Sequence, residues 1–500
     1  MEKIKLKFLL FLKKNRLEVA LVTLIVFVAL VLRLYKIDQF MTFLGDEGRD
    51  VRVLRDLLRG NLVFIGPQTS IGNMYLGPLY YYLVAPTFLI ANYNPVGPAI
   101  QIAFIGTFTV FLTWAFGRKW FGKPAGLIAA LLFALSPVAI VYSRSSWNPN
   151  PMPLFTLISV WGIWQVWAKK KFLYLSLVGV SMAFALQMHY LGLLLLPVLG
   201  IFWLLTLKNT WSKSKIKLSL IKHTLLSIFC FLVLMSPLAL FDLKHDFMNF
   251  NAFKTFFSDR QTTINLNPAR SDRFSLILSQ LSTDFILSNT KQFAVPAGLL
   301  TLAGAVWLLL KNKKNSGYLV LITWLFFGLL GLVVYKQHVY DHYYGFLFPA
   351  IYLLLGFGLA SLATASQKAF KLLGVIALII LIGLSLSHSP VRQTPNNQLA
   401  RTRQIIQLII KESGDQPFNF GLIAKQNYDE SYRYFLEYFH APAFRGEDKI
   451  TEQLFVACED GDKCQPEGNP AYQVAIFGPS HIVSEWNVGG IKVYRLFHTR

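Results

Sequence analysis

Charge is what this 500-residue chain has least of: only 15% of its residues are Asp, Glu, Lys or Arg. An ordinary soluble domain carries about 25%, so a single water-soluble globule of this length is excluded. Hydrophobic residues make up 54% of the chain and the mean hydropathy is +0.46. Several stretches, opening with Leu17–Leu32 and closing with Leu372–Leu386, approach or exceed the roughly 18–20 apolar residues that cross a hydrocarbon core. A folded basic domain is also lacking. The formal charge of +22 lies in short basic stretches between apolar segments, which excludes a nucleic-acid footprint. No small-residue cleavage site follows the first apolar segment, where the chain reads Arg33-Leu34-Tyr35-Lys36. It is therefore read as a retained span and not a removed signal peptide. Internal repeats and low-complexity segments are absent. Cysteine is scarce, and Cys458 and Cys464 enclose CEDGDKC near the C-terminus. They form either a disulfide, which an exported location permits, or two free thiols. The acids between them lack the glycine and glutamate spacing of a calcium loop. Cys230 falls in an apolar segment and is read as packing.

What is present is a regular alternation. The basic stretches Lys3–Arg16, Arg118–Lys123, Lys169–Lys171, Lys208–Lys222, Lys311–Lys314 and Lys368–Lys371 behave as cytoplasmic loops under the positive-inside rule. Placing all of them inside predicts about 11 spans, at about 17–35, 96–116, 124–142, 151–168, 172–188, 191–207, 221–241, 293–310, 317–335, 345–364 and 370–387. The N-terminus is then cytoplasmic. Pro78–Tyr93, with Pro78 and Pro86 in a short apolar run, is expected to dip into the membrane from outside. Three long regions lie outside: about 36–95, about 242–290 and the tail from 388. The tail reads as a small mixed α/β domain, with helix-like Gln398–Lys411 and Asp429–His440 and strand-like Val474–Phe477 and Ile491–Leu496. The expected architecture is a polytopic α-helical membrane protein, residues 1–387, with interfacial helices and an extracytoplasmic α/β domain, residues 388–500.

The strongest local feature is Gly45-Asp46-Glu47-Gly48-Arg49-Asp50, just after the first span. It opens an amphipathic stretch with Val51, Leu54, Leu57 and Leu58 on one side and Arg52, Arg55, Asp56 and Arg59 largely opposite. Such a helix is expected to rest in the membrane interface, with Asp46 and Glu47 at its N-terminus, where the helix dipole favours their ionised form. An ionised carboxylate there can accept a proton from an attacking hydroxyl or amine. The plainer reading is that Asp46 caps the helix. The same region continues as FIGPQTSIGNMYLGPLYYYLVAP, whose tyrosines and glycines suit either a polyprenyl chain or sugar, or an aromatic belt at the bilayer boundary. On the first of those readings Arg49, Gln68, Tyr75 and Tyr81 are acceptor or lipid contacts.

An outward loop with an acidic pair after the first span, followed by GPLYYYL, resembles the GT-C superfamily of membrane glycosyltransferases. The protein O-mannosyltransferases and lipid A aminoarabinose transferases are the similar groups. SPVAIVYSRSSWNPNPMPLF is similar to their second outer loop and KQHVYDHYYGFLFP to their late outer loop. The resemblance implies inverting transfer of a sugar from a polyprenyl-phosphate donor to a protein, lipid or glycan acceptor on the outer face. It makes Asp46 the general base and Glu47 an orienting carboxylate. The leaving phosphate needs cations or hydrogen-bond donors, for which Arg144, Asn148, Lys336, His338, His342 and Tyr343 are candidates, with Arg260, Arg270 and Arg273 weaker ones. Trp147-Asn148-Pro149-Asn150 offers neutral amides where oligosaccharyltransferases of the superfamily carry metal-binding acids. No cofactor or metal is therefore expected; hard cations are normally held by carboxylates. His338 and His342, four apart beside Asp341, are the one alternative metal site. A lipid-linked glycan transporter or a non-catalytic glycan-binding membrane protein are the competing readings. Spans almost free of acids, and the missing repeat, weigh against the transporter.

Overall fold

The computed structural model describes residues 13–69, 74–258, 272–461 and 464–499; Arg260 and Arg270 lie outside the described residues. All eleven expected spans are helical. Among the described residues, eight helices are long and apolar enough to cross a membrane, from Arg16–Leu34 to Lys368–Ser387. In hydrocarbon a backbone must satisfy its own hydrogen bonds, which is why these runs are helices. Phe348–Ala363 is the enclosed centre, with Ala350, Tyr352 and Leu353 buried. Ser214–Lys244 and Lys368–Ser387 form the perimeter, exposing Leu225, Phe229, Ile379 and Ile380.

Two expected spans differ in detail. The run 124–142 breaks into Lys123–Leu135 and Pro137–Val141. Pro137 lacks an N–H and cannot continue a helix, while the Ser136 hydroxyl accepts the Ala139 N–H at 3.3 Å and starts the next one. The run 191–207 opens as a 3-10 turn, Tyr190–Leu195, before Leu196–Thr210. The Pro78–Tyr93 segment is the 12-residue helix Leu79–Ile90, which rises about 18 Å at 1.5 Å per residue, well short of a roughly 30 Å core.

The last apolar helix ends at Ser387, and the tail builds a five-stranded mixed sheet in the order β2-β1-β3-β5-β4. The strands are β1 Phe418–Ile423, β2 Ala443–Phe444, β3 Gln453–Cys458, β4 Ser480–Val488 and β5 Ile491–His498. β1 runs parallel to β2 and β3, with Phe420 opposite Phe455, and β5 is antiparallel to both β3 and β4. Alternation along β3 sends Phe455 and Ala457 to one core and Leu454, Val456 and Cys458 to another, as the two-residue period of a strand requires. Gln398–Ser413 and Glu430–Tyr438 are helical, near the expected bounds. Val474–Phe477, expected as a strand, lies in the helix Tyr472–Phe477. A four-residue apolar run has no decisive period, and here Val474 and Phe477 bury together one turn apart. Cys458 and Cys464 are bonded to each other.

The amphipathic stretch is the helix Gly45–Leu58, but its polar face does not lie open as expected for an interfacial helix. The tail covers it. Arg52 pairs with Glu430 and with Glu437, the latter at 2.5 Å, and Arg55 pairs with Glu437. The apolar face, Val51 and Leu54, packs into the bundle core. The contact with the tail is made backbone to backbone at Gly48, where an added Cβ would lie 2.2 Å from the Ser431 nitrogen. The Asn427 side chain accepts the Gly45 N–H at 2.8 Å, and the Gln398 side chain accepts the Phe43 N–H at 2.9 Å.

Helix propensity alone makes Gly48→Ala stabilising by about 1 kcal/mol, whereas overpacking costs about 1–3 kcal/mol. The crowding at Ser431 is backbone and cannot yield, so Gly48→Ala is expected to lower the thermal midpoint of detergent-purified protein and to expose the 388–397 linker to protease. A raised midpoint would show that the contact is loose.

Candidate active site

Three carboxylates fall in the first six residues of the helix Gly45–Leu58, each in its own environment. Glu47 is buried. It accepts the Leu44 N–H at 3.0 Å and the Thr42 hydroxyl, closing a helix N-terminus whose N–H groups otherwise lack partners. Burial pushes its carboxyl upward, against the pull of the Thr42 and Leu44 hydrogen bonds. Asp50 is 1% exposed. Its Oδ1 accepts from Arg49 at 2.8 and 3.0 Å and from the Tyr81 hydroxyl at 3.1 Å, while Oδ2 is buried without a hydrogen-bond partner among the described residues. Burial pushes this carboxyl up to about 6, with the Arg49 charge opposing. Asp46 is the open one, its side chain 40% exposed. Its Oδ1 accepts from Arg49 Nη1 at 2.8 Å and from the Tyr428 hydroxyl at 2.7 Å.

Three cavities meet at Asp46. The largest, about 800 Å³, is lined by Asp46, Arg49, Gln68, Trp147, Asn148, His189, His342 and Tyr343. Its wall is an aromatic cluster: the Trp147 and His342 rings lie 4.5 Å apart, and His189 and Tyr343 4.7 Å. Such faces suit the apolar side of a sugar ring. His189 Nδ1 accepts the Leu191 N–H at 3.2 Å, and burial drives its imidazole well below the ordinary range. The ring is thus neutral, with its proton assigned to Nε2. Asn148 is aimed by its amide, which donates to the Met188 carbonyl at 2.8 Å. The second cavity, about 600 Å³, shares Asp46, Arg49 and Gln68 with the first and adds Val63, Ile65, Tyr75, Tyr81 and Tyr428. A third, about 280 Å³, lies between Asp46, Tyr142, Trp147 and Tyr428.

Of the residues singled out in the sequence, Asp46, Arg49, Gln68, Asn148, His342 and Tyr343 come together on the first cavity. Arg49, Gln68, Tyr75 and Tyr81 come together on the second. Four others are placed differently. Glu47 reaches only the smallest cavity, and its oxygens are taken up by the helix start. Arg144 turns inward: it donates to the Tyr35 carbonyl at 2.5 Å and sits 4.3 Å over the Phe40 ring. Burial pushes its guanidinium down to about 10, and it lines none of the three cavities. Lys336 and His338 are exposed on irregular chain, outside all three. His342 stands on a separate 3-10 turn, Asp341–Leu347, so the four-residue spacing does not put the two histidines on one helical face. Among the described residues no group of three His, Cys, Asp or Glu side chains is placed to hold a metal ion. Arg273, on the helix Asp272–Leu281, ties that helix to the chain after Val334 by donating to the Tyr335 carbonyl at 2.7 Å and to that of Gln337. Sequence reasoning missed Gln426 and Tyr428, which the tail brings from nearly 400 positions away.

The fold has counterparts. The sequence pattern of the dolichyl-phosphate-mannose-protein mannosyltransferase family matches residues 76–240. No curated protein matches the chain. ArnT from Cupriavidus metallidurans bound to undecaprenyl phosphate superposes with a TM-score of 0.60 at 15% identity, covering 97% of this chain and 98% of that one. Its apo state gives 0.60 at 14%, covering 95% and 97%. The archaeal oligosaccharyltransferase AglB from Archaeoglobus fulgidus, in complex with an inhibitory peptide and a dolichol-phosphate, gives 0.55 at 12%, covering 89% and 69%. At such identities the likeness is one of fold, which this chain shares with ArnT and AglB.

Asp50 yields a pH prediction. Its folded value of about 6 lies above the usual carboxylate value of about 3.9, so the native state holds the extra proton between those limits. Stability from this group is therefore full below about pH 4 and declines as pH rises through about 6, by an amount on the order of 2–3 kcal/mol. Asp50→Asn is expected to gain on wild type as pH rises from 4 to 7 in thermal denaturation. A difference constant across that range would remove Asp50 as the cause.

Proposed function

We propose that the chain transfers a sugar from a polyprenyl-phosphate donor to an acceptor at the outer face of the membrane, with inversion, and that Asp46 is the general base. The observation that carries this reading is the position of Asp46 at the junction of the roughly 800 Å³ and 600 Å³ cavities. One cavity takes the donor sugar and phosphate against the aromatic wall, and the other takes the acceptor. The acceptor hydroxyl or amine attacks the anomeric carbon, and its proton passes to Asp46. The carbon–oxygen bond to phosphate breaks, and the lipid phosphate leaves with the electron pair. Phosphate is a good leaving group once its charge is met by donors placed beforehand. Arg49, which lines both cavities, is the cation for that role, with the neutral His189 and His342 rings as further donors. Glu47 holds the helix start from which Asp46 projects. The reaction is taken to need no metal, because the Trp147–Asn150 loop presents amides in place of carboxylates.

The test is transfer of radiolabelled mannose or glucose from undecaprenyl phosphate by the purified chain, with membrane extract as acceptor. Asp46→Asn is expected to lose roughly 10²–10⁴-fold in rate, while Glu47→Gln chiefly lowers the thermal midpoint and chelators leave the rate unchanged. Equal transfer by wild type and Asp46→Asn sinks the base assignment; loss with chelator, restored by a divalent cation, sinks the metal-free mechanism.

Orientation has its own check. The outer-face placement requires that single cysteines at Lys119, in a basic turn, and at Lys425, in the tail, react with an impermeant thiol reagent from opposite sides. Labelling from the same side would invert the scheme.

A further inference from the structure

The carboxyl ends of β1 at Ile423 and β3 at Cys458 lie side by side in a parallel pair. In α/β sheets the loops leaving that edge carry ligand-binding groups. Here the loop after β1 holds Gln426, Asn427 and Tyr428, and these three line the cavities around Asp46. The loop is fixed from both sides. From the sheet, Glu459 accepts the Asn427 amide at 2.9 and 3.1 Å and the Tyr432 hydroxyl at 2.7 Å. From the bundle, the Asn427 oxygen accepts the Gly45 N–H at 2.8 Å as well as the Tyr428 N–H at 2.9 Å. The Tyr428 ring then lies over Gly45, where a Cβ would come within 2.4 Å of it. Its hydroxyl donates to Asp46 Oδ1 at 2.7 Å and accepts from Arg49 Nη1 at 3.2 Å.

We infer that the tail domain completes the active site, with Tyr428 as a positioning residue that orients the Asp46 carboxylate for proton transfer. This rests on the reading of Asp46 as the base. The Tyr428 and Arg49 bonds both fall on Oδ1. They fix the carboxylate's rotation and leave Oδ2, which has no hydrogen bond among the described residues, to meet the acceptor proton. A carboxylate held by Arg49 alone could pivot with a side chain that Asp50 also engages; the tyrosine supplies a second, rigid point of attachment from a separate domain. A general base acts only within hydrogen-bond reach and alignment of its proton, and a small misplacement carries a large rate penalty.

The test compares Tyr428→Phe, Asp46→Asn and the double variant in the full chain, with undecaprenyl-phosphate-linked mannose and glucose as donor probes and membrane extract as acceptor. The phenylalanine keeps the ring over Gly45 and removes only the hydroxyl. The expected result is a loss of roughly tenfold or more in the rate at saturating donor, with donor KM and thermal midpoint unchanged. The double variant should be no slower than Asp46→Asn alone. Full activity in Tyr428→Phe with an inactive Asp46→Asn overturns this inference and leaves the base assignment standing. Losses that multiply in the double variant show that Tyr428 acts other than through Asp46, and also overturn it. So does a rate loss accompanied by a lower thermal midpoint, which assigns Tyr428 to packing. An active Asp46→Asn, or a wild type inert to both donors, removes the base reading and this inference together.

Discussion

The placement of Asp46 depends on a backbone-to-backbone contact between two parts of the chain that are far apart in sequence. Gly48 lets the helix Gly45–Leu58 meet the tail at Ser431 with no side chain between them. Around that contact Arg52 and Arg55 engage Glu430 and Glu437. Exposed ion pairs contribute little singly, but these are partly enclosed and share partners, so they fix the orientation of a contact that the glycine makes possible. Were the two surfaces separated by one methyl group, Asn427 and Tyr428 would withdraw from Gly45 and Asp46 together. The cavities would then open into one another, because Tyr428 forms part of the wall of two of them.

That dependence explains how the amphipathic pattern was misleading and useful at once. Val51 and Leu54 are buried as their spacing implied, but spacing says only that one face is polar, and not what the polar face meets. An interfacial helix and a helix beneath an acidic partner carry the same pattern. The difference lies in Glu430 and Glu437, whose nearness to Arg52 and Arg55 is a property of the folded chain alone. The spans were legible for the opposite reason. Hydrocarbon imposes length and composition locally, and each segment declares itself without reference to the rest. The one error of type, at Val474–Phe477, fell in the tail, where short apolar runs have no such constraint.

The site divided along the same line. Asp46 was legible because acids are scarce and a Gly-Asp-Glu-Gly turn follows the first span directly. Asn148, His342 and Tyr343 were legible as parts of loops that share one face of the bundle. Arg144, Lys336 and His338 have the chemistry of phosphate binders, yet residue type carries no direction. Arg144 satisfies part of its guanidinium on Tyr35 inside the protein, and the other two line none of the cavities around Asp46. Tyr428 had no local signal at all, since its relevance arises from a hydrogen bond across 382 positions.

The three acids near the start of the helix Gly45–Leu58 show why neighbouring carboxylates need not share a role. Glu47 and Asp50 are buried, and burial makes a charge costly unless hydrogen bonds offset it. Each accordingly turns to the protein for partners, Glu47 to the helix start with both oxygens and Asp50 to Arg49 and Tyr81 with Oδ1. Arg49 is thereby anchored on its far side by Asp50, which leaves one of its nitrogens for Asp46. The order of dependence runs outward from the core: Tyr81 and Arg49 hold Asp50, Asp50 steadies Arg49, and Arg49 with Tyr428 steadies Asp46. Among the described residues Asp46 and Asp50 each keep one oxygen without a hydrogen bond, but that of Asp50 is buried, whereas Asp46 is the exposed carboxylate that lines the cavities. A helix start with a single acid would have to cap the helix, anchor the arginine and face the substrate at once. Three acids within five residues separate those tasks, and the exposed one is left to the cavities.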